Sequence, residues 1–137
     1  MAELQRITLN PAGVAPPSAT YSHIARVKAS ELVFMAGQIG IDANGNLAGT
    51  DVGSQVSQVF ENIRLNLAGV GATFKNVVEF TVYVVGRESV QPYMEARTEI
   101  LREAYPDGDY PPSTLLVISG LARDEFKVEI KTVAALP

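Results

Sequence analysis

A chain of 137 residues, 47% hydrophobic and 19% charged, has the size and balance of one globular domain, and with no cysteine it excludes disulfides, thiolate nucleophiles and sulfur-bound metals. Net charge is −4 and the isoelectric point is near 4.9, with the 11 Lys and Arg scattered rather than clustered, which argues against nucleic acid as a partner. The opening Met1–Arg6 has no basic-then-apolar leader, and no apolar run approaches the ~20 residues that span a bilayer; a cytoplasmic protein without membrane contact is expected.

In chain order, a short strand is expected over Leu4–Leu9, followed by an extended Pro-rich connection, Pro11–Pro17. His23–Ala29 and Leu32–Ile39 read as paired strands. The second is so continuously apolar that burial on both faces is expected. Asp42-Ala43-Asn44-Gly45-Asn46 resembles the start of a calcium loop, but Leu47 and Gly53 occupy the positions where that loop needs Gly and a carboxylate. Asn44-Gly45 is therefore read as a tight turn, and no metal is expected.

Val52, Val56, Phe60, Ile63, Leu67 and Val70 recur at spacings of four and three and predict the first helix, capped by Asp51 and ended near Gly69 and Gly71. Val77–Val85 reads as a buried β-branched strand. A second helix is expected from about Ser89 to Ala104, with Val90, Met94, Leu101 and Ala104 as its stripe. Arg97 falls on that same stripe. A cation there either snorkels to the edge of the apolar face or points into a cleft. Two further strands flank the Gly120–Glu125 turn region; in the last, Phe126, Val128 and Ile130 alternate with Lys127, Glu129 and Lys131. The order β-β-β-α-β-α-β-β implies an α+β domain, a mixed sheet with two helices on one face. Apolar residues on its other face, some within Leu115–Leu121, suggest an oligomer.

Much chemistry is missing. His23 is the only histidine, which removes paired-His metal sites, and it reads as a surface or hydrogen-bonded strand residue. Gly69-Val70-Gly71-Ala72-Thr73 lacks the third glycine and the preceding strand of a phosphate-cradling loop. No cofactor is expected. What remains is Glu129 between two lysines, with Tyr21, Ser113 and Thr114 as hydroxyl donors. On its own, such a glutamate reads as a solvated polar face with modest ion pairing.

Tyr21-Ser22-His23, Leu32–Gly40, Asp51 with Gln55, Asn62, Gly71-Ala72, Val77-Val78, Thr81-Val82-Tyr83-Val84, Pro111-Pro112 and Val128-Glu129-Ile130 are each weak signals. Their order and spacing together resemble the Rid family of small imine/enamine deaminases (YjgF/YER057c/UK114). The resemblance covers almost the whole chain, residues 1–137, as one domain. It implies a chorismate-mutase-like fold and a homotrimer whose small-molecule clefts lie between subunits, lined from one side by the two C-terminal strands and from the other by the early strands. In the deaminating members, a last-strand glutamate, matched here by Glu129, positions water that attacks a C=N carbon and releases ammonia and a 2-keto acid. The implied ligand-binding positions are Tyr21, Ala36, Gly37, Met94, Ser113, Thr114 and Leu115.

The departures cluster at this site. The arginine that follows the Pro-Pro pair and grips the substrate carboxylate is Ser113 here. A frequent cysteine is Leu115, with Val117 replacing its acidic neighbour; a frequent serine is Ala36, and a helix asparagine is matched by Met94. A hydroxyl does not replace a guanidinium's two parallel bonds, so 2-imino acids are expected to be poor substrates. Four readings stay open. A hydrolase of C=N or enamine bonds ranks first and a non-catalytic trimeric binding module second. The older label of endoribonuclease or translation inhibitor is disfavoured by the acidic charge. Chorismate-mutase-like pericyclic chemistry is disfavoured by the lost cation.

Overall fold

The computed structural model, which describes residues 2–137, builds one four-stranded sheet, one separate hairpin and two helices. The strands are β1 (Gln5–Leu9), β2 (Ile24–Lys28), β3 (Glu31–Ile39), β4 (Val77–Val85), β5 (Ser113–Ile118) and β6 (Val128–Leu136). The helices are α1 (Val52–Gly69) and α2 (Val90–Ala104). The sheet order is β3-β6-β4-β5, with β4 and β5 parallel and the other neighbours antiparallel. This is the expected mixed α+β sheet. The C-terminal strands β5 and β6 are not adjacent, because β4 lies between them.

Two expectations about the early strands fail. β2 does not pair with β3; it pairs with β1, from Gln5 opposite Lys28 to Leu9 opposite Ile24. Only Ala29 and Ser30 separate β2 from β3, and a two-residue hairpin turn requires positive φ. Among the described residues no non-glycine has positive φ, and Ala29 and Ser30 do not make that turn. The chain instead crosses to β6, where Ser30 N donates to Leu136 O (3.0 Å) and Ser30 Oγ to Pro137 O (2.7 Å). Nor is β3 buried on both faces. It is an edge strand with Met35 turned into the core, while Leu32 and Phe34 are 58% and 69% exposed on the opposite face.

α1 begins where Asp51 accepts from Ser54 N at 2.9 Å, which holds the carboxyl below its usual range, and it stops before Gly71, at φ 73°. Val56, Phe60, Ile63 and Leu67 are buried as their spacing predicts. Val59 joins them, whereas Val70 lies past the helix end and is exposed. The tight turn at Asn44-Gly45 is present: Gly45 has φ 81°, and Asp42 Oδ1 accepts from Asn44 N and Asn46 N.

α2 enters through a short 3-10 turn, Arg87–Ser89, in which Ser89 Oγ donates to Val85 O (2.6 Å). Its buried residues are Tyr93, Arg97 and Leu101. Tyr93 and Leu101 join Val82, Val84, Phe60 and Ile63 in one core, so both helices cover the same sheet face. The β1–β2 hairpin is tied down by Arg6, whose enclosed guanidinium donates to Lys75 O and Asp109 O and pairs with the Asp109 carboxylate (3.3 Å).

Candidate functional site

Alternation along β6 turns Val128 and Ile130 into the core and Glu129 to the helix-free face, opposite Ile39 of β3 and Tyr83 of β4. The pairing of β3 with β6 shifts register between Met35 and Gln38, so Ala36 and Gly37 drop out of the ladder. Such a bulge leaves main-chain groups without ladder partners. The Glu129 carboxylate lies directly over Gly37. A Cβ added there would be 2.8 Å from Glu129 Cδ and closer still to Oε2. Glycine at 37 is thus required by close approach, since its φ is not positive.

Glu129 makes no ion pair within the described chain. Lys127 Nζ turns instead to Asp124 O (3.4 Å), and Lys131 is exposed without an acidic partner. Ion pairing with its flanking lysines therefore does not occupy the carboxylate. Two amides, the buried Gln55 and the half-buried Asn62, fix the surrounding frame. Gln55 Nε2 donates to Gly49 O and Glu125 O while its Oε1 accepts from Lys127 N (2.8 Å). Asn62 Nδ2 donates to Ile39 O (3.0 Å) and Ile41 O (2.9 Å). These bonds hold the end of β3 and the start of β6 against α1. A half-buried carboxylate beside main chain that lies outside the ladder, on a rigid frame, can orient a water and accept its proton.

The other expected residues lie elsewhere. Ser113 opens β5 beside Phe80, and Leu115 sits beside Val82, so both side chains belong to the helix-covered face. Thr114 turns to the helix-free face beside Thr81 and is exposed. Met94 on α2 is half-buried and its Sδ accepts from Arg97 Nη2 at 2.9 Å. Tyr21 precedes β2 and packs edge-on against His23, with ring centroids 5.7 Å apart. His23 is hydrogen-bonded at Nε2 to Ala15 O (2.6 Å), as its structural reading requires.

Glu129, Gly37 and Ala36 therefore form one group at the β3/β6 side, and Ser113, Leu115 and Met94 form another at the β4/β5 side on the opposite face. A single chain does not bring them into one pocket. A cavity of about 420 Å³ lined by Arg6, Lys75, Tyr105 and Asp109, and another of about 380 Å³ between α1 and α2 lined by Phe60, Arg64, Phe74 and Ile100, contain none of these residues. Among the described residues no group of three or more His, Cys, Asp or Glu is disposed to hold a metal ion.

Sequence reasoning missed Tyr93, which is 1% exposed and whose hydroxyl burial pushes up to about 12, opposed by the charge of Arg97. It also missed the depth of Arg97, 5% exposed. Helical spacing puts Arg97, four residues before Leu101, on the stripe without saying how deep it lies, and Tyr93, eight residues before Leu101, shares that spacing but as a tyrosine does not register as an apolar position.

The family model described as Endoribonuclease L-PSP matches residues 12–136. The RutC family protein YjgH of Escherichia coli K12 is 28% identical over 134 residues, 98% of each chain. The crystal structure of a Yersinia pestis protein of unknown function, YyfB of the conserved Rid protein family, matches with a TM-score of 0.85 at 28% identity, covering 96% of this chain and 98% of that one. Escherichia coli TdcF, solved with bound serine, has the same fold, with a TM-score of 0.71 at 22% identity over 93% and 94% of the two chains.

Proposed function

The chain belongs to the endoribonuclease L-PSP family, the YjgF/Rid proteins, and from that membership we propose that it hydrolyses the C=N or enamine bond of a small metabolite in clefts between the subunits of a cytoplasmic homotrimer. The observation that carries this reading is the unpaired Glu129 carboxylate lying over Gly37 at the β3 bulge. In the proposed step Glu129 takes a proton from water as the water oxygen bonds to the imine carbon. That proton passes to nitrogen, which holds the former C=N π pair, to give a neutral carbinolamine. Glu129 then takes the hydroxyl proton and returns it to nitrogen as the C=O bond forms and the C–N bond breaks, and ammonia leaves with its bonding pair. An enamine would first tautomerise to the imine.

The trimer is supported by apolar surface where no helix lies. Leu32, Phe34 and Leu116 are 58%, 69% and 39% exposed, and the pairing register sets all three on the same face as Glu129. The two groups of candidate residues, on opposite faces of one chain, meet only if one copy supplies Glu129 and Gly37 and its neighbour supplies the β5 edge. No helix among the described residues is long and apolar enough to cross a membrane.

Nuclease activity is the weaker reading. Of the 11 Lys and Arg, Arg6 and Arg97 are enclosed and Arg64, Lys75 and Arg123 sit beside Glu61, Glu3 and Glu125; the other six are spread along the sequence in a chain of net charge −4, a poor match to a phosphate backbone. A binding module without catalysis gains weight from Ser113, Leu115 and Ala36, which strip polarity from the expected cleft.

The test generates imines in situ with an amino-acid oxidase and follows their loss by semicarbazone trapping. Slow turnover is expected, below that of an arginine-bearing relative, and Glu129→Gln should remove it because an amide does not accept water's proton. Absence of wild-type turnover on imines with and without a carboxylate would put the binding module first.

A further inference from the structure

The cavity of about 420 Å³ beside the β1–β2 hairpin holds none of Glu129, Gly37, Ser113 or Leu115. Its wall includes Arg6, whose side chain is only 4% exposed. Two of the guanidinium's three nitrogens are used: Nε donates to Lys75 O, and Nη2 donates to Asp109 O and to the Asp109 carboxylate. That carboxylate is itself shared, since its other oxygen accepts from the Thr8 hydroxyl. Nη1 is buried and has no partner among the described residues. Holding the hairpin down accounts for Nε and Nη2 and leaves Nη1 without a role. A buried donor lacking an acceptor is costly, and the cavity is where an acceptor can enter.

The rest of the wall carries both signs of charge. Lys75 adds an ammonium, and its pair with Glu3 is 4.0 Å long and exposed on both sides, so it is worth little and yields to a ligand. Asp107 adds an exposed carboxylate. Ala104, Tyr105 and Pro106 bring the C-terminal end of α2, the negative pole of its dipole. A simple anion gains nothing from Asp107 and a helix C-terminus, and a simple cation gains nothing from Arg6 and Lys75. A small zwitterion satisfies both sets. We propose that this cavity binds a free α-amino acid, its carboxylate on Arg6 Nη1 and Lys75 and its ammonium toward Asp107 and the end of α2. The volume falls at the lower end of the roughly 300–1,000 Å³ of ligand pockets, which suits one small molecule. The site is separate from the proposed cleft and stands whether or not an imine is hydrolysed.

The experiment measures thermal shifts of the full-length protein with L-alanine, and with N-acetyl-L-alanine and L-alaninamide, each of which lacks one of the two charges. L-Alanine should raise Tm saturably, because it braces the hairpin and the Asp109 segment that Arg6 joins. Each control should bind at least about tenfold more weakly. Arg6→Gln should abolish the shift, but it also loosens the hairpin. Lys75→Met and Asp107→Asn, both at exposed positions, give the independent reading. Each should weaken L-alanine binding about tenfold while leaving the ligand-free Tm little changed. Glu129→Gln should keep the shift. The proposal is overturned by a wild type indifferent to millimolar L-alanine, or by Lys75→Met and Asp107→Asn proteins that bind it as the wild type does. N-acetyl-L-alanine binding as tightly as L-alanine would leave a plain anion site and overturn the zwitterion. A shift lost in Glu129→Gln would assign the amino acid to the cleft instead.

Discussion

The two faces of the four-stranded sheet are built to different ends. One is closed by α1 and α2 over Val82, Val84, Val128 and Ile130, all 0–1% exposed. The other presents Leu32 and Phe34 of β3 to solvent, opposite Ala135 and Val133 of β6, with Glu129 further along β6. The closed face accounts for the stability of one chain. The open face has apolar residues that lack a cover and a carboxylate that lacks a partner, and the proposed trimer would supply the cover from further copies of the same chain.

The difference is broken most severely by placing a charge on the open face. Phe34→Glu should dissociate the assembly, at a cost on the order of 3 kcal/mol per subunit from lost apolar burial and a desolvated carboxylate. The monomer should keep its helical circular dichroism, because Phe34 touches none of the closed core. On the closed face, Ile63→Ala, at a site 0% exposed, should lower the unfolding free energy by about 3 kcal/mol without changing the subunit count. If both variants lost mass together, the two faces would not be separable.

Ser113→Arg sharpens the functional side of the contrast. Restoring a guanidinium at the start of β5 should raise imine turnover about tenfold or more, from charge-assisted bonds and better positioning. Glu129→Gln in that background should remove the gain, and the semicarbazone assay reads both. A folded, trimeric Ser113→Arg protein without gain would show that the polarity lost at Ala36, Leu115 and Val117 also matters.

The smallest effect belongs to Asp51. Its folded carboxyl titrates below the ordinary aspartate value because Ser54 donates to it, so its stabilisation is present above the unfolded pKa and lost as pH falls through the folded one. The Tm deficit of Asp51→Ala should accordingly be constant near neutrality and shrink below about pH 4 in a pH series.

How much of this was legible depended on whether the signal was local. The bounds of β4 and the inward residues of α1 follow from side-chain alternation and helical spacing, which neighbours in sequence encode. The partner of β2 and the exposure of Leu32 and Phe34 do not, since an apolar strand reads alike at an edge and at a centre. Gly37 and Glu129 were singled out by resemblance, but the reason for the glycine, the carboxylate pressed over it, exists only once β3 and β6 pair. The resemblance groups Ser113 and Glu129 in one cleft, which a single chain does not assemble. The intervening β4 separates them, and alternation sends them to opposite faces.

The account rests on the open face being an interface, and the mass of the wild-type protein in solution tests that most directly. Light scattering at micromolar concentration should report about three times 14.7 kDa. A stable monomer under those conditions would contradict both the trimer and any site shared between its subunits.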